Sequence, residues 1–270
     1  MSQIDERFRY LRDRQRTGLV AYMTAGDPDL ERSAQVLLAL DRGGADVIEL
    51  GVPFSDPLAD GPVIQRATER ALAAGTTLAG VLDMLRGLRQ QIHTPIVIFS
   101  YANPIVRMGL DAFAARAAAV GVDGVLTLDL PVEEADEFRN VLSRAGIDTI
   151  FLLSPTTTPE RIRKAAELGR GFLYGISRLG VTGARDTVAS GAEAMVKSIR
   201  AITDRPLALG FGISRPEHVA EVGAYADAAV VGSALVALIA EASGSPQLIA
   251  RVEEYVRSLR AACVASRANT

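Results

Sequence analysis

Runs of Val, Ile, Leu and Ala recur at residues 19–24, 46–50, 95–101, 124–129, 148–154, 171–177, 206–211 and 227–231. The stretches between them space their apolar residues three and four apart, as at Ile162, Ala165 and Ala166 or at Leu248, Val252, Tyr255 and Leu259. A short run that is apolar at successive positions reads as a strand buried on both faces, which is what parallel strands covered by helices require. Strands alternating with amphipathic helices predict βαβ units, and eight of each predict an α/β fold, a closed (β/α)8 TIM barrel. One domain over 1–270 is expected, because no repeat, low-complexity tract or linker divides the chain. An open doubly wound sheet would carry a glycine fingerprint after its first strand, and Met23-Thr24-Ala25-Gly26-Asp27 is no such fingerprint.

Local punctuation supports the helices. Asp27-Pro28-Asp29, Thr158-Pro159-Glu160 and Ser214-Arg215-Pro216-Glu217 each open one. An additional helix precedes the first strand, with Ile4, Phe8 and Leu11 on one side, and is expected to plug the bottom of the barrel. Its arginines 7, 9, 12, 14 and 16 interleave with Asp5, Glu6 and Asp13, the pattern of a solvated helix face. The long interruption at 51–61, GVPFSDPLADG, is followed by two helical stretches before the third strand.

Composition narrows the partners. A net charge of −3 gives no footprint for nucleic acid or an anionic membrane, so an anionic ligand must be held locally. The N-terminus lacks the apolar core of a signal peptide and no run of some 20 apolar residues occurs, so a cytoplasmic protein is expected. Cys263 is the single cysteine, which excludes an internal disulfide; with only His93 and His218 beside it, no metal site is expected. Both histidines read as helix-surface residues.

In a barrel the productive positions are strand C-termini and the loops after them. Strand two ends in Val47-Ile48-Glu49-Leu50, and alternation turns Glu49 to the same side as Val47. A carboxyl group buried there has its pKa raised toward neutrality, where it both gives and takes a proton. In the following loop Asp60 either caps the helix beginning near Pro62 or meets a ligand over the mouth. Across the mouth, Leu209-Gly210-Phe211-Gly212-Ile213-Ser214 and Val230-Val231-Gly232-Ser233 expose backbone N–H groups after strands seven and eight, the second at the start of a short helix. Amides and dipole there favour a phosphate. Residues 178–185, RLGVTGAR, have the composition of a lid.

The segments GADVIELGVPFSDPLADGPVIQ, SYANPI, DLPVEE, SRLGVTGAR and GFGIS resemble the tryptophan synthase α subunit, and the resemblance spans nearly the whole chain. It implies a lyase: retro-aldol cleavage of indole-3-glycerol phosphate to indole and D-glyceraldehyde 3-phosphate in L-tryptophan biosynthesis, with no cofactor in this chain. By similarity Glu49 shuttles the proton and Asp60 accepts the hydrogen bond from the indole N–H. Tyr22, Phe99, Leu126, Leu152, Tyr174, Phe211 and Val230 match the indole pocket. Gly183, Gly212, Gly232 and Ser233 match the phosphate site, and Thr182 matches the lid residue. The family also implies an αββα complex with a β subunit carrying pyridoxal phosphate; Pro53, Asp56, Asn103-Pro104 and Asp129-Leu130-Pro131 are candidate contacts. Tyr22 adds a hydroxyl where a plain aromatic is common, and Leu179 stands where smaller residues also occur.

Three other readings stand beside it: a stand-alone lyase, a non-catalytic barrel subunit, and an unrelated phosphosugar isomerase or aldolase barrel. A stand-alone lyase would use the same residues without a partner. A non-catalytic barrel subunit fits poorly with retention of Glu49 and Asp60. A Schiff-base aldolase needs a strand-end lysine, whereas Lys164 and Lys197 lie in helical segments.

Overall fold

Each of the eight apolar runs forms a strand in the computed structural model, which describes residues 1–176, 191–210 and 212–263. The chain begins with α1 (Gln3–Asp13), β1 (Gly18–Thr24), α2 (Leu30–Gly43), β2 (Val47–Gly51), α3 (Pro62–Ala73) and α4 (Leu78–Leu88). A 3-10 turn at Arg89–Gln91 leads to β3 (Ile96–Ser100), α5 (Ala102–Met108), α6 (Leu110–Ala119), β4 (Gly124–Thr127), α7 (Asp136–Arg144), β5 (Asp148–Leu153) and α8 (Pro159–Leu168). The remainder is β6 (Leu173–Ile176), α9 (Ala192–Arg200), β7 (Leu207–Gly210), α10 (Pro216–Gly223), β8 (Ala228–Val231), α11 (Ser233–Ala242) and α12 (Leu248–Ala261). All neighbouring strands are parallel and β8 returns to β1, closing the predicted barrel. Several strands are shorter than the apolar run that announced them, as β4 is, whose run continues two residues past its last ladder residue, Thr127.

Period-two alternation divides the strand residues between two cores. Val20, Val47, Val97, Leu126, Ile150, Ala208, Ala228 and Val230 fill the barrel interior. Ala21, Ile48, Leu50, Ile98, Val125 and Leu209 face the helices. The bottom is closed by α1, whose Ile4, Phe8 and Leu11 are buried as predicted, with the Phe8 and Phe172 rings 5.3 Å apart. Room for this plug comes from glycines: a Cβ on Gly124 or on Gly171 would stand 2.9 Å from Ile4. Ser2 caps α1 in a reciprocal capping box with Asp5, and its hydroxyl also donates to Asp148 at the start of β5.

The same end carries three ion pairs built on strand-start aspartates. Asp46 is buried, accepts the Leu19 amide at 2.9 Å and pairs with Arg260 of α12 at 2.7 Å. Asp123 accepts the Ile96 amide at 2.8 Å and pairs with Arg89, and Asp227 accepts the Leu207 amide and pairs with Arg200. Each carboxylate thus supplies an acceptor to an amide at the start of a neighbouring strand.

The helix starts at Asp29 and Thr158 are side-chain caps, onto Arg32 N and Arg161 N. At α10 the cap position is Arg215, without a side-chain cap, and the Ser214 amide donates to His218 Nδ1 instead. Both histidine readings need correction. His93 is exposed but follows the 3-10 turn rather than sitting on a helix, and His218 is on α10 but buried. Burial there is set by the packing of α10 on α12 and β8, which helix periodicity alone does not reveal. Among the described residues no single helix is long and apolar enough to cross a membrane; α3 with the stretch Leu78–Gln91 reaches that length only across an 87° bend.

Candidate active site

Glu49 lies on β2 between Tyr22 of β1 and Val97 of β3, pointing into the barrel with Val47 as alternation required. It is fully buried, and neither carboxylate oxygen meets a hydrogen-bond donor among the described residues. An unpartnered buried carboxylate is costly to ionise, and burial pushes its pKa up to about 8. Near neutral pH it is mostly the neutral acid, with the anion accessible.

The loop from β2 to α3 carries Asp60 over the mouth. Helix α3 begins with Gly61 at its cap and Pro62 in its first turn, and no side chain caps it. The capping role for Asp60 is therefore excluded. Its side chain turns instead to Tyr101, whose hydroxyl donates to Asp60 Oδ2 at 3.2 Å. Burial pushes Asp60 up to about 6, and the Tyr101 hydrogen bond opposes that rise. Two carboxyl groups at one mouth thus differ in proton affinity, the deeper holding its proton more tightly, which separates an acid from an anion near pH 7.

Of the residues expected to form the apolar slot, Tyr22 stands beside Glu49 on the neighbouring strand. Tyr22, Leu126, Tyr174 and Val230 are buried, and Phe99 and Leu152 are half-buried against the same interior cluster. The Phe99 ring stands between Tyr22, edge-on at 5.2 Å, and Tyr174, at 6.2 Å. Two glycines make space for these phenols: a Cβ on Gly51 would fall 2.3 Å from the Tyr22 hydroxyl, and one on Gly210 would fall 2.9 Å from the Tyr174 hydroxyl. The Tyr22 hydroxyl lies 3.4 Å from Thr24 Oγ1, and burial raises the pKa of both phenols further, so they stay neutral. Phe211 lies outside the described residues.

At the same mouth, Gly212 follows β7 in the left-handed region, at φ 71°, and Gly232 caps α11 without a side-chain bond. Among the described residues no side chain caps the first amides of α11, from Ser233 onward, and a helix N-terminus favours an anion. Helix α11 is held to the carboxylate side through Val236, which packs with Tyr22, Ile64 and Ala67. Gly183 and the lid residue Thr182 lie outside the described residues. Among the described residues no cluster of His, Cys, Asp and Glu is arranged to hold a metal ion. A cavity of about 330 Å³ at the opposite end, lined by Phe8, Arg9, Arg12, Asp204 and Asp227, lacks a buried unpartnered carboxyl group and is no rival to the mouth.

Tyr101 was missed as a member of the site. The sequence signal for it is an aromatic residue at the end of the apolar run 95–101, within the segment SYANPI that carries the family resemblance.

Fold and mouth together define a (β/α)8 barrel with two carboxyl groups of differing proton affinity at its mouth, an arrangement suited to general acid–base work. The family model for the tryptophan synthase alpha chain matches residues 8–264. Relatives include the tryptophan synthase alpha chains of Solibacter usitatus, 49% identical over 96% of this chain and 97% of that one, and Geotalea uraniireducens, 50% identical over 97% of each. Among solved structures, tryptophan synthase of Mycobacterium tuberculosis superposes with a TM-score of 0.90 at 36% identity, covering 97% of this chain and 98% of that one. The alpha subunit from Legionella pneumophila gives 0.88 at 38% identity, with the same coverage. The chain belongs to the tryptophan synthase alpha chain family.

Proposed function

We propose that this chain cleaves indole-3-glycerol phosphate to indole and D-glyceraldehyde 3-phosphate, in the cytoplasm, as the alpha subunit of an αββα tryptophan synthase. The observation that carries the reading is Glu49, a fully buried carboxyl group without a hydrogen-bond partner, its pKa pushed up to about 8, beside a loop that presents Asp60.

Neutral Glu49 gives its proton to indole C3. The positive charge that then develops on the ring nitrogen is met by ionised Asp60, which accepts the N–H. The side-chain hydroxyl on the carbon bonded to C3 next gives its proton to the Glu49 carboxylate. The bond from that carbon to C3 breaks, its electron pair returns to the ring to restore neutral indole, and the carbon becomes the aldehyde of glyceraldehyde 3-phosphate. Glu49 ends as it began, protonated. Tyr22, Phe99, Leu126, Leu152, Tyr174, Phe211 and Val230 form the slot for the ring, and the amides at Gly183, Gly212, Gly232 and Ser233 receive the phosphate, with Thr182 closing over them. The partner is a β subunit carrying pyridoxal phosphate that consumes the indole. This reading is supported by the rim of the mouth, where Leu58 and Val106 are exposed apolar residues.

The test is indole release from indole-3-glycerol phosphate by the purified chain, alone and with a β subunit, for wild type, Glu49→Gln and Asp60→Asn. Weak activity alone, strong stimulation by the partner and a loss of about 10²-fold or more in each variant are expected. Full activity without the partner would favour a stand-alone lyase, and an active Glu49→Gln would sink the mechanism.

A further inference from the structure

Residues 52–60 form no helix or strand, yet Asp60 must present a carboxylate oxygen to a ring nitrogen in one orientation. What holds it comes from the neighbouring strand. Tyr101 stands just beyond β3, at the cap position of α5, and the pairing of β2 with β3 brings it to the Asp60 loop. Its hydroxyl makes two bonds there: it accepts the Ala59 amide at 2.9 Å and donates to Asp60 Oδ2 at 3.2 Å. The phenol is itself held, with its ring 5.1 Å from that of Phe54 and its carbonyl accepting the Ser100 hydroxyl. The next amide, Ala102, is bonded to Asp129. Asp60 Oδ1 has no hydrogen bond among the described residues.

We propose that Tyr101 is a positioning residue for Asp60, fixing the loop through the Ala59 amide and occupying Oδ2 so that Oδ1 remains the acceptor for the ring N–H of the substrate. The proposal rests on the reading of Asp60 as that acceptor. A carboxylate with one oxygen already engaged has lost most of its rotational freedom before substrate arrives, so less ordering remains for the transition state. The same bond stabilises the anion. Around Asp60 and Tyr101 the other titratable groups coupled to them are Tyr22 of β1, Tyr174 of β6 and Asp129 after β4, and Glu49 of β2 is coupled to those two phenols. All are acids or phenols, so among the described residues the Tyr101 donor is what opposes the effect of burial on Asp60.

Tyr101→Phe keeps the ring beside Phe54 and removes only the hydroxyl. In the indole-release assay kcat should fall by roughly 10-fold while KM changes far less, since an interaction that orients a transition-state acceptor is lost rather than ground-state binding. The acid limb of the pH–rate profile should move to higher pH, which loss of packing alone would not produce. An unmoved limb with unchanged kcat would overturn the proposal. In an Asp60→Asn background Tyr101→Phe should add almost nothing; a full additional loss would place the action of Tyr101 elsewhere and equally overturn it. Fluorinated tyrosine at position 101, isosteric but a stronger donor, covers the case in which the Phe variant folds poorly. It should move the acid limb to lower pH, and no movement contradicts the proposal. If Asp60→Asn retains activity, the assignment of Asp60 itself fails, a result that these Tyr101 outcomes cannot mimic.

Discussion

A carboxyl group enclosed by valines and aromatic rings leaves a signature in both activity and stability. With Asp60 required as the anion and Glu49 as the acid, kcat/KM for indole release should be bell-shaped, rising through about pH 6 and falling through about pH 8. A profile flat from pH 5 to 9 would contradict the division of roles. The sign for stability is fixed by the same shift. The folded state holds the Glu49 proton more tightly than the unfolded chain, so the stability present below the ordinary glutamate pKa declines as pH rises toward 8. Glu49→Gln removes that loss. The variant should melt at a higher temperature than wild type at pH 9, with much less difference at pH 5, while being inactive at both. Glu49 was legible in the sequence because an acid inside an apolar strand has few bland explanations. Asp60 was not, since capping and ligand contact ask for the same residue in the same kind of loop. What separated them was the position of the cap, Gly61, and the phenol of Tyr101, a neighbour 41 positions away that exists only once β2 and β3 pair.

The elements themselves were read from periodicity with errors of a residue or two, as at the end of β4, because hydrophobic runs mark burial and not the last ladder bond. Close approaches between elements were beyond that reading. Gly51 ends β2 under the Tyr22 ring, and its lack of a Cβ is what allows Tyr22 to stand opposite Glu49. Gly51→Ala should cost about 1–3 kcal/mol by overpacking and raise KM by displacing the Tyr22 ring, measured by denaturant unfolding and steady-state kinetics. An unchanged KM would mean that Tyr22 does not shape the slot. At the other end, α1 stops in a Schellman turn in which Gln15 takes φ 51°, with the Arg16 amide bonded to the Leu11 carbonyl. Glycine is favoured at such a position, so Gln15→Gly should stabilise the protein by about 0.5–1 kcal/mol without touching activity. A loss of stability in the melt would show that the Gln15 side chain contributes more than its backbone costs.

Across the whole molecule, bottom and mouth are built from different materials. The bottom has the α1 plug and the strand-start aspartates with their arginines; the mouth has proton-active groups and free amides. Phe8→Ala empties part of the plug and should cost about 3–5 kcal/mol in denaturant unfolding while leaving kcat of the folded protein near wild type. Equal losses of kcat and stability would show the two ends to be coupled. The closure that β8 makes with β1 reaches further still. An open sheet always offers two rims of unpaired amides and carbonyls, and through them chains recruit extra strands, swap segments or grow into fibrils. A ring of eight has no such rim. Whatever assembles with this protein must recognise it through side chains and loop or helix surfaces, and unwanted self-association through strand addition is closed off by topology rather than by charge.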